Sequence, residues 1–493
     1  MAAQADTDSR RRRVVAVAPM PPEKSAYALA RYSRSPDSIA ESLDWVRGHD
    51  SQKFLESFYF QYGHASIADL GHCMLCFEGI SELAAIEIED EQLWDGQAKS
   101  SRYQDFSKGC IVTPAELARK DEERIYREAA DSLIGAYQQV HETLIGHLSE
   151  KLPRPAEMKE GAYRRTIAAR AYDVARYLLC LGISTNVGQV TSIRTLEKQM
   201  RRLGASGYGE VRELAADMHE ACASAPACRW YEALETGAQE AEALAPTLAR
   251  HGEPDVRWRE ARRNVARWAE ANLHLTPAGD LPDVDLVRPA DPLDEIAASL
   301  LYAVTHLPFR QLLDEVSGWG RARRREVLDV ALRNRGRRDE LIGEFRSGYD
   351  YIFDIVCDIG AYRDLHRHRR CQQIRQAYSE DLGYDTPELA AEAGVSAVYE
   401  KAIEDASAAR RKLAGLPVEA SHYLLPFAAR VRSLFKMDFA EAEYMARVRS
   451  GVKGHISYRR VAWKMRQRIV EREPELGELI QATPPEVEEP LTR

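Results

Sequence analysis

The stretch YIFDIVCDIGAYRDLHRHRRCQQIR, Tyr351–Arg375, decides how this chain is read. It opens on a short apolar run suited to a buried strand, continues at helical spacing and closes on a polar segment. An earlier stretch, His72–Ser107, has the same order: HCMLCFEGI, then SELAAIEIEDEQLW, then DGQAKSSRYQDFS. Sliding one on the other so that Arg367 lies over Asp90 superposes them without a gap. Each is followed by helical sequence ending in an arginine-bearing helix, ISTNVGQVTSIRTLEKQMRRL in the first case and LLPFAARVRSLFKMDFAEAEYMARVR in the second. On residues alone this likeness is faint, but a repeat, once present, sets the architecture.

Around these stretches Leu, Ala, Arg and Glu recur at helical spacing, so the expected fold is α+β and mainly helical, with two similar units in tandem. Strands are expected at Val14–Ala18, His72–Ile80 and Tyr351–Ile359. The chain divides into a tail with a possible first strand (1–24), a first unit (25–216), an insertion (217–293), a second unit (294–480) and an acidic tail, PPEVEEPLTR, read as disordered (481–493). The insertion begins helical, as RWREARRNVARWAEANL, and turns into LTPAGDLPDVDLVRPADP, whose Pro and Asp mark a linker. Its Trp230, Trp258 and Trp268 read as packing residues.

The 493 residues hold 68 Lys+Arg against 77 Asp+Glu, a net charge of −9, so the molecule as a whole does not attract nucleic acid or anionic lipid. Any anion must be held by a local basic cluster. Arg10–Arg13 read as a solvated tail, and no apolar run approaches the ~18 residues of a membrane span, which points to a cytoplasmic protein. Cys73 and Cys76 form an isolated C-x-x-C without the second pair a zinc site needs; they read as reduced core thiols, and no metal is expected.

Arg363, His366, Arg367 and Arg370 recur at the spacing of one helical face. Guanidinium forks grip phosphate oxygens in pairs, so the face reads either as a phosphate clamp or as a solvated basic surface. A nucleic-acid-binding helix is the weakest reading, because no aromatic residues interleave with the cluster. The loop KSSRYQDF places Ser100, Ser101, Arg102 and Tyr103 after a helix, a set that suits a phosphate monoester beside a ring but also fits a surface turn. Upstream, YGHASIADLGH offers His64 and Ser66.

These pieces, in this order and spacing, resemble the flavin-dependent thymidylate synthases, whose signature reads R-H-R-x-x-S-x-N-E-x-S-x-R-Y after a G-H-x-S element and an apolar strand. Gly63-His64-Ala65-Ser66 looks like the G-H-x-S element, and Ser100-x-Arg102-Tyr103 like the signature's end. The R-H-R positions of the first half fall on Asp90, Glu91 and Gln92, so that half has reversed its charge. In the second half they fall on Arg367, His368 and Arg369, while the rest of the signature is lost. Gln97 with Ala98, and Ile374 with Arg375, stand where the family has Asn-Glu. SIRTLEKQMRRL is similar to a family helix that carries Arg194, and less closely Arg202, onto nucleotide-binding arginines; Leu425-Pro426 and Arg449 match a later step and closing arginine.

The resemblance implies complementary halves. Arg367, His368 and Arg369, with His64 and Ser66, would hold FAD. Ser100, Ser101, Arg102, Tyr103, Arg194, Arg202 and Arg449 would hold a uridine nucleotide, with Arg194, Ser100 and Arg102 nearest the chemistry. The implied reaction is reductive C5 methylation of dUMP, or a related nucleotide, with methylenetetrahydrofolate and NADPH as co-substrates. Family members are described as homotetramers, so this chain is expected to pair as a homodimer. The alternative is a nucleotide- or flavin-binding paralogue that has lost catalysis.

Overall fold

The computed structural model describes residues 21–32, 39–56, 65–106, 111–117, 119–224, 246–277, 281–289, 291–336, 341–413 and 416–491. Val14–Ala18, Arg10–Arg13, Gly63, His64 and Trp230 lie outside them. The chain forms two compact units, one of residues 1–73, 192–197 and 218–252, the other of 74–191, 198–217 and 253–493.

In the smaller unit the helices Pro22–Tyr32 and Ser51–Leu55 pack around Ala26, Ala30, Leu55 and Ile67, and Ile39–Arg47 joins them through Val46 against Tyr27 and Ala28. Tyr27 stacks on Phe54 with ring centroids 3.9 Å apart. Glu23 is buried, and its carboxylate accepts from the Thr247 backbone N–H (2.7 Å) and hydroxyl (2.9 Å), so its burial is compensated.

The larger unit carries the repeat. Strand β1 (His72–Ser81, begun in the smaller unit), the helix Glu82–Glu89, β2 (Asp95–Ala98), β3 (Ser184–Ser192) and the helix Ile193–Gly204 make the first copy. After β4 (Val284–Val287), the second copy has β5 (Tyr351–Asp358), the helix Ile359–His366, β6 (Gln372–Arg375), β7 (Arg430–Met437) and the helix Phe439–Ser450. The sheet orders are β1-β3-β2 and β4-β5-β7-β6. Register repeats as well: Asp95 pairs with Val190 and Ala98 with Val187, as Gln372 pairs with Lys436 and Arg375 with Ser433. So does capping, since Ser81 accepts from the Ala84 N–H at 3.0 Å and Asp358 from that of Ala361 at 2.8 Å. The tandem arrangement expected from sequence is therefore present down to individual caps.

The copies meet about a local two-fold relation. Tyr177-Leu178-Leu179-Cys180-Leu181 runs antiparallel to Tyr423-Leu424-Leu425-Pro426-Phe427, bridged at Cys180 and Pro426. Leu181 N donates to Leu425 O at 2.9 Å, and Phe427 N returns the bond to Leu179 O at 2.7 Å. Gly182 N to Tyr423 O (2.7 Å) and Ala428 N to Tyr177 O (3.0 Å) form the next pair of equivalents.

Several expectations need correction. The Pro/Asp-rich linker contains β4, whose residues VDLV are all buried and pair with β5; burial on a sheet edge outweighed the turn composition. The helix Arg257–Asn272 forms where expected and, with the helices Pro292–Tyr302, Phe309–Ser317 and Arg321–Leu332, packs on Ile352, Ile374 and Leu434 of the second sheet, with Trp268 in that core. The acidic tail is docked rather than disordered: Arg459 donates to Pro484 O (3.1 Å) and Val487 O (2.8 Å), and Arg170 to Pro490 O (3.2 Å). Buried arginine donors need acceptors, and the tail backbone supplies them. In β1, Cys73 is buried but Cys76 is exposed, because the strand presents one face to solvent. No helix among the described residues is long and apolar enough to cross a membrane.

Candidate functional site

The basic helix ends sooner than its spacing suggested. Ile359–His366 is helical, Arg367 is its C-cap, and Arg370 lies in the turn before β6. The four side chains do not share one helical face, because the chain must turn to enter β6 within a few residues. This shortening separates their roles. Arg363 points inward, buried, and donates to Glu82 Oε1 at 2.8 Å and to Ser101 Oγ at 3.4 Å. The basic element of the second copy thus touches the hydroxyl loop of the first.

On that loop Arg102 is also buried. Its Nε donates to Asp173 Oδ1 at 2.7 Å, Nη1 to Tyr458 Oη at 2.9 Å and Nη2 to Lys453 O at 3.0 Å. A guanidinium held on three sides is pre-organised, and burial without these partners would be costly. Ser100 Oγ accepts from the Arg102 N–H at 3.4 Å, while Tyr103 is exposed, its ring centroid 5.8 Å from the Arg102 guanidinium carbon.

His368 is buried between opposite partners. Arg449 can only donate, so its Nε at 2.8 Å makes His368 Nε2 the acceptor, and Nδ1–H then donates to Glu441 Oε1 at 3.0 Å. Burial, ahead of the other influences, pushes the imidazole pKa down, so the ring is neutral and orients Arg449 rather than adding charge. Arg369 reaches Asp95 Oδ1 of the first copy at 2.7 Å.

The centre of the cluster is Asp364. Burial pushes its carboxyl up, but the guanidinium groups of Arg176, Arg102, Arg367 and Arg449 together outweigh burial and hold it below the usual carboxylate range. Arg102 and Arg367, from different copies, therefore act on one carboxylate. Glu82 shows the opposite balance: burial keeps its carboxyl above the ordinary range despite Arg363 and Arg367.

Two guanidiniums here have unused donors. The half-buried Arg367 makes no side-chain hydrogen bond or ion pair among the described residues. Arg176 is 2% exposed and gives Nη1 to Asp364 Oδ2 at 3.3 Å, but its Nε and Nη2 have no partner among the described residues. Such buried orphan donors are rare unless a ligand or water completes them. Sequence reading missed Arg176; the signal was its place directly before Tyr177-Leu178-Leu179, which repeats as Tyr423-Leu424-Leu425.

Other expected site residues lie elsewhere. Arg194 belongs to the smaller unit, where its Nη1 donates to Asp69 Oδ2 at 3.1 Å. Arg202 is occupied by acids, with Nε to Glu91 Oε1 at 3.1 Å and Asp90 at 3.9 Å. His64 lies outside the described residues, and Ser66 falls in the short 3-10 turn Ala65–Leu70. Asp173, His455 and Ser457 also line a cleft of about 810 Å3, which Arg102, Arg363 and Arg367 do not line. Among the described residues no group of His, Cys, Asp or Glu side chains is placed to hold a metal ion.

Comparison with known proteins supplies the family. Residues 14–226 and 348–475 match the sequence profile described as thymidylate synthase complementing protein. A UPF0159 protein of Chlamydia muridarum is 25% identical over 84% of this chain and 77% of its own length. One from Thermoplasma acidophilum is 23% identical over 92% of this chain and 93% of its own. A solved structure of the flavin-dependent thymidylate synthase of Helicobacter pylori, complexed with FAD and dUMP, is similar at 13% identity and a TM-score of 0.24, over 41% of this chain and 89% of that one. The profile spans both copies, and the chain belongs to the family of thymidylate synthase complementing proteins, the flavin-dependent thymidylate synthases, as a divergent member with its two copies in tandem.

Proposed function

We propose that this chain is a flavin-dependent enzyme of the thymidylate synthase type, which reductively methylates C5 of dUMP or a related uridine nucleotide using methylenetetrahydrofolate and a nicotinamide reductant. The observation that carries the reading is the pair of guanidiniums beside Asp364 where the copies meet: Arg176, whose Nε and Nη2 lack a partner among the described residues, and the half-buried Arg367. Such donors fit phosphate oxygens in geometry and charge. Arg367 and Arg369 would hold FAD phosphates, with His368 keeping Arg449 in place. Ser100, Ser101, Arg102, Tyr103 and Arg449 would hold the nucleotide, with Arg176 added.

Bound flavin supplies the hydride in this chemistry. The chain's own contribution is binding, orientation and field. Arg102, fixed by Asp173, Tyr458 and Lys453, holds the hydroxyl loop in place, so that Ser100 and Ser101 can meet a nucleotide at little reorganisation cost. The loss of the family's Asn-Glu pair in both copies favours a related uridine nucleotide as an alternative to dUMP. A non-catalytic nucleotide-binding paralogue remains the second reading for the same reason.

The test is the flavin spectrum of the purified protein with and without dUMP, paired with rescue of a thymidine auxotroph. Yellow protein that rescues supports thymidylate synthesis, and yellow protein without rescue supports another nucleotide. Colourless, folded protein that FAD does not colour rejects the flavoenzyme and leaves the paralogue.

A further inference from the structure

The two-fold relation between the copies creates a second meeting point, in which the loop of the second copy faces the helix of the first. Residue by residue it has lost the features of the site described above. Asp90 stands for Arg367, Glu91 for His368 and Ile86 for Arg363 on the helix; Tyr378 and Ser379 stand for Ser101 and Arg102 on the loop. His422 takes the place of Arg176, two residues before the repeated Leu-Leu pair.

Arg202 answers to Arg449. Arg202 donates its Nε to Glu91 at 3.1 Å, as Arg449 donates its Nε to His368 at 2.8 Å. The difference is charge. His368 leaves Arg449 cationic and able to attract an anion, whereas Glu91, with Asp90 at 3.9 Å, neutralises Arg202 in place, and the Glu87 carbonyl takes a further N–H at 2.8 Å. Two further cations nearby are likewise engaged: Arg375 by Glu87 Oε1 at 3.0 Å, over the Tyr378 ring at 4.0 Å, and Arg262 by Glu344 Oε1 at 2.8 Å. Burial also keeps His422 neutral, its pKa brought down to about 3.

We propose that the chain holds a single phosphate-binding site rather than two, because the acids Glu91 and Asp90 occupy Arg202 as a built-in substitute for a ligand phosphate at the second meeting point. This inference rests on the functional reading above and adds to it a stoichiometry and the residues that set it. Each chain takes one FAD and one uridine nucleotide. An assembly of these chains therefore carries half as many sites as it has copies of the repeat.

Equilibrium dialysis of the full-length chain with FAD and with dUMP tests this, alongside Arg367→Ala and Glu91→Gln. The expected capacity is one equivalent of each ligand per chain. Arg367→Ala lowers FAD affinity at least tenfold with no residual high-affinity equivalent, and Glu91→Gln keeps one equivalent at unchanged affinity. Arg367→Lys, which retains the charge, takes the place of the alanine variant if that fails to fold, and a fall in FAD affinity with retained far-UV circular dichroism is the expected result. Two equivalents per wild-type chain overturn this inference alone. So does loss of binding in Glu91→Gln with retention in the Arg367 variants, which would move the site to the second meeting point. No binding by the wild-type chain overturns the functional reading and this inference together.

Discussion

Arg102 and Asp173 show how strongly single residues are committed at the centre of this molecule. Both side chains are 10% exposed and pair at 2.7 Å. Arg102→Ala would remove the guanidinium from a buried carboxylate and release Tyr458 Oη and Lys453 O, so a loss of about 3–5 kcal/mol in urea-unfolding stability is expected. Asp173→Asn is expected to cost less, since its amide can still accept from Arg102. Nearby, Asp358 and His455 meet through Ser457, whose hydroxyl donates to Asp358 and whose backbone N–H donates to His455 Nδ1 at 3.2 Å. Burial raises Asp358 to about 6 and lowers His455 to about 3. The signs oppose. The folded state holds the Asp358 proton more tightly than the unfolded chain, so that contribution to stability falls as pH rises from roughly 3.9 to about 6. The folded state resists protonating His455, so stability falls as pH drops from roughly 6.5 toward about 3. Urea midpoints across pH 4 to 7 should show Asp358→Asn gaining on the wild type as pH rises, and His455→Gln gaining as pH falls. Parallel curves for all three proteins would contradict the assignment.

At the scale of elements, the junction between the copies is the most constrained feature. A Cβ on Gly182 would sit 2.2 Å from Tyr126 Oη and 3.1 Å from Tyr423 O, the carbonyl that its own N–H bonds. Gly182→Ala is therefore expected to cost about 1–3 kcal/mol or more through overpacking, read as a lowered denaturant midpoint, with the cross-copy pairing loosened first. Much at this scale was legible in the sequence. The gap-free superposition of His72–Ser107 on the second stretch anticipated β1 with β5, β2 with β6 and the helices between them, because period and polarity are local properties. The end of the basic helix was not legible, since Arg370 continues the helical spacing and only the pairing of β6 with β7 pulls the chain away. β4 was hidden for a similar reason. Asp285 reads as a turn residue, and it is accommodated in the strand because the half-exposed Arg310 meets it at 2.7 Å.

For the whole molecule, the helix Arg257–Asn272 of the insertion and three helices after it close one face of the second sheet, and a buried ion pair ties that cover to β7. Lys436 of β7 is fully buried, with Nζ 2.7 Å from Glu295 Oε1 and 2.9 Å from Arg346 O. Glu295→Ala would strand a buried ammonium and is expected to lower unfolding stability by about 3–5 kcal/mol, whereas Glu295→Met with Lys436→Met should recover most of that loss in the same urea titration. Of the insertion, residues 253–293 pack with the second sheet, whereas 218–252 belong to the smaller unit. The sequence by itself determined that two related segments exist, that they alternate strand and helix in one order, and that one kept R-H-R while the other kept Ser-x-Arg-Tyr. It could do so because periodicity and motif spacing are carried along the chain. Only the tertiary structure decided which cations are free. Arg202 and Arg367 look equally available in sequence, yet one is neutralised by Glu91 and the other keeps its donors, because charge compensation depends on neighbours that folding brings together from distant positions.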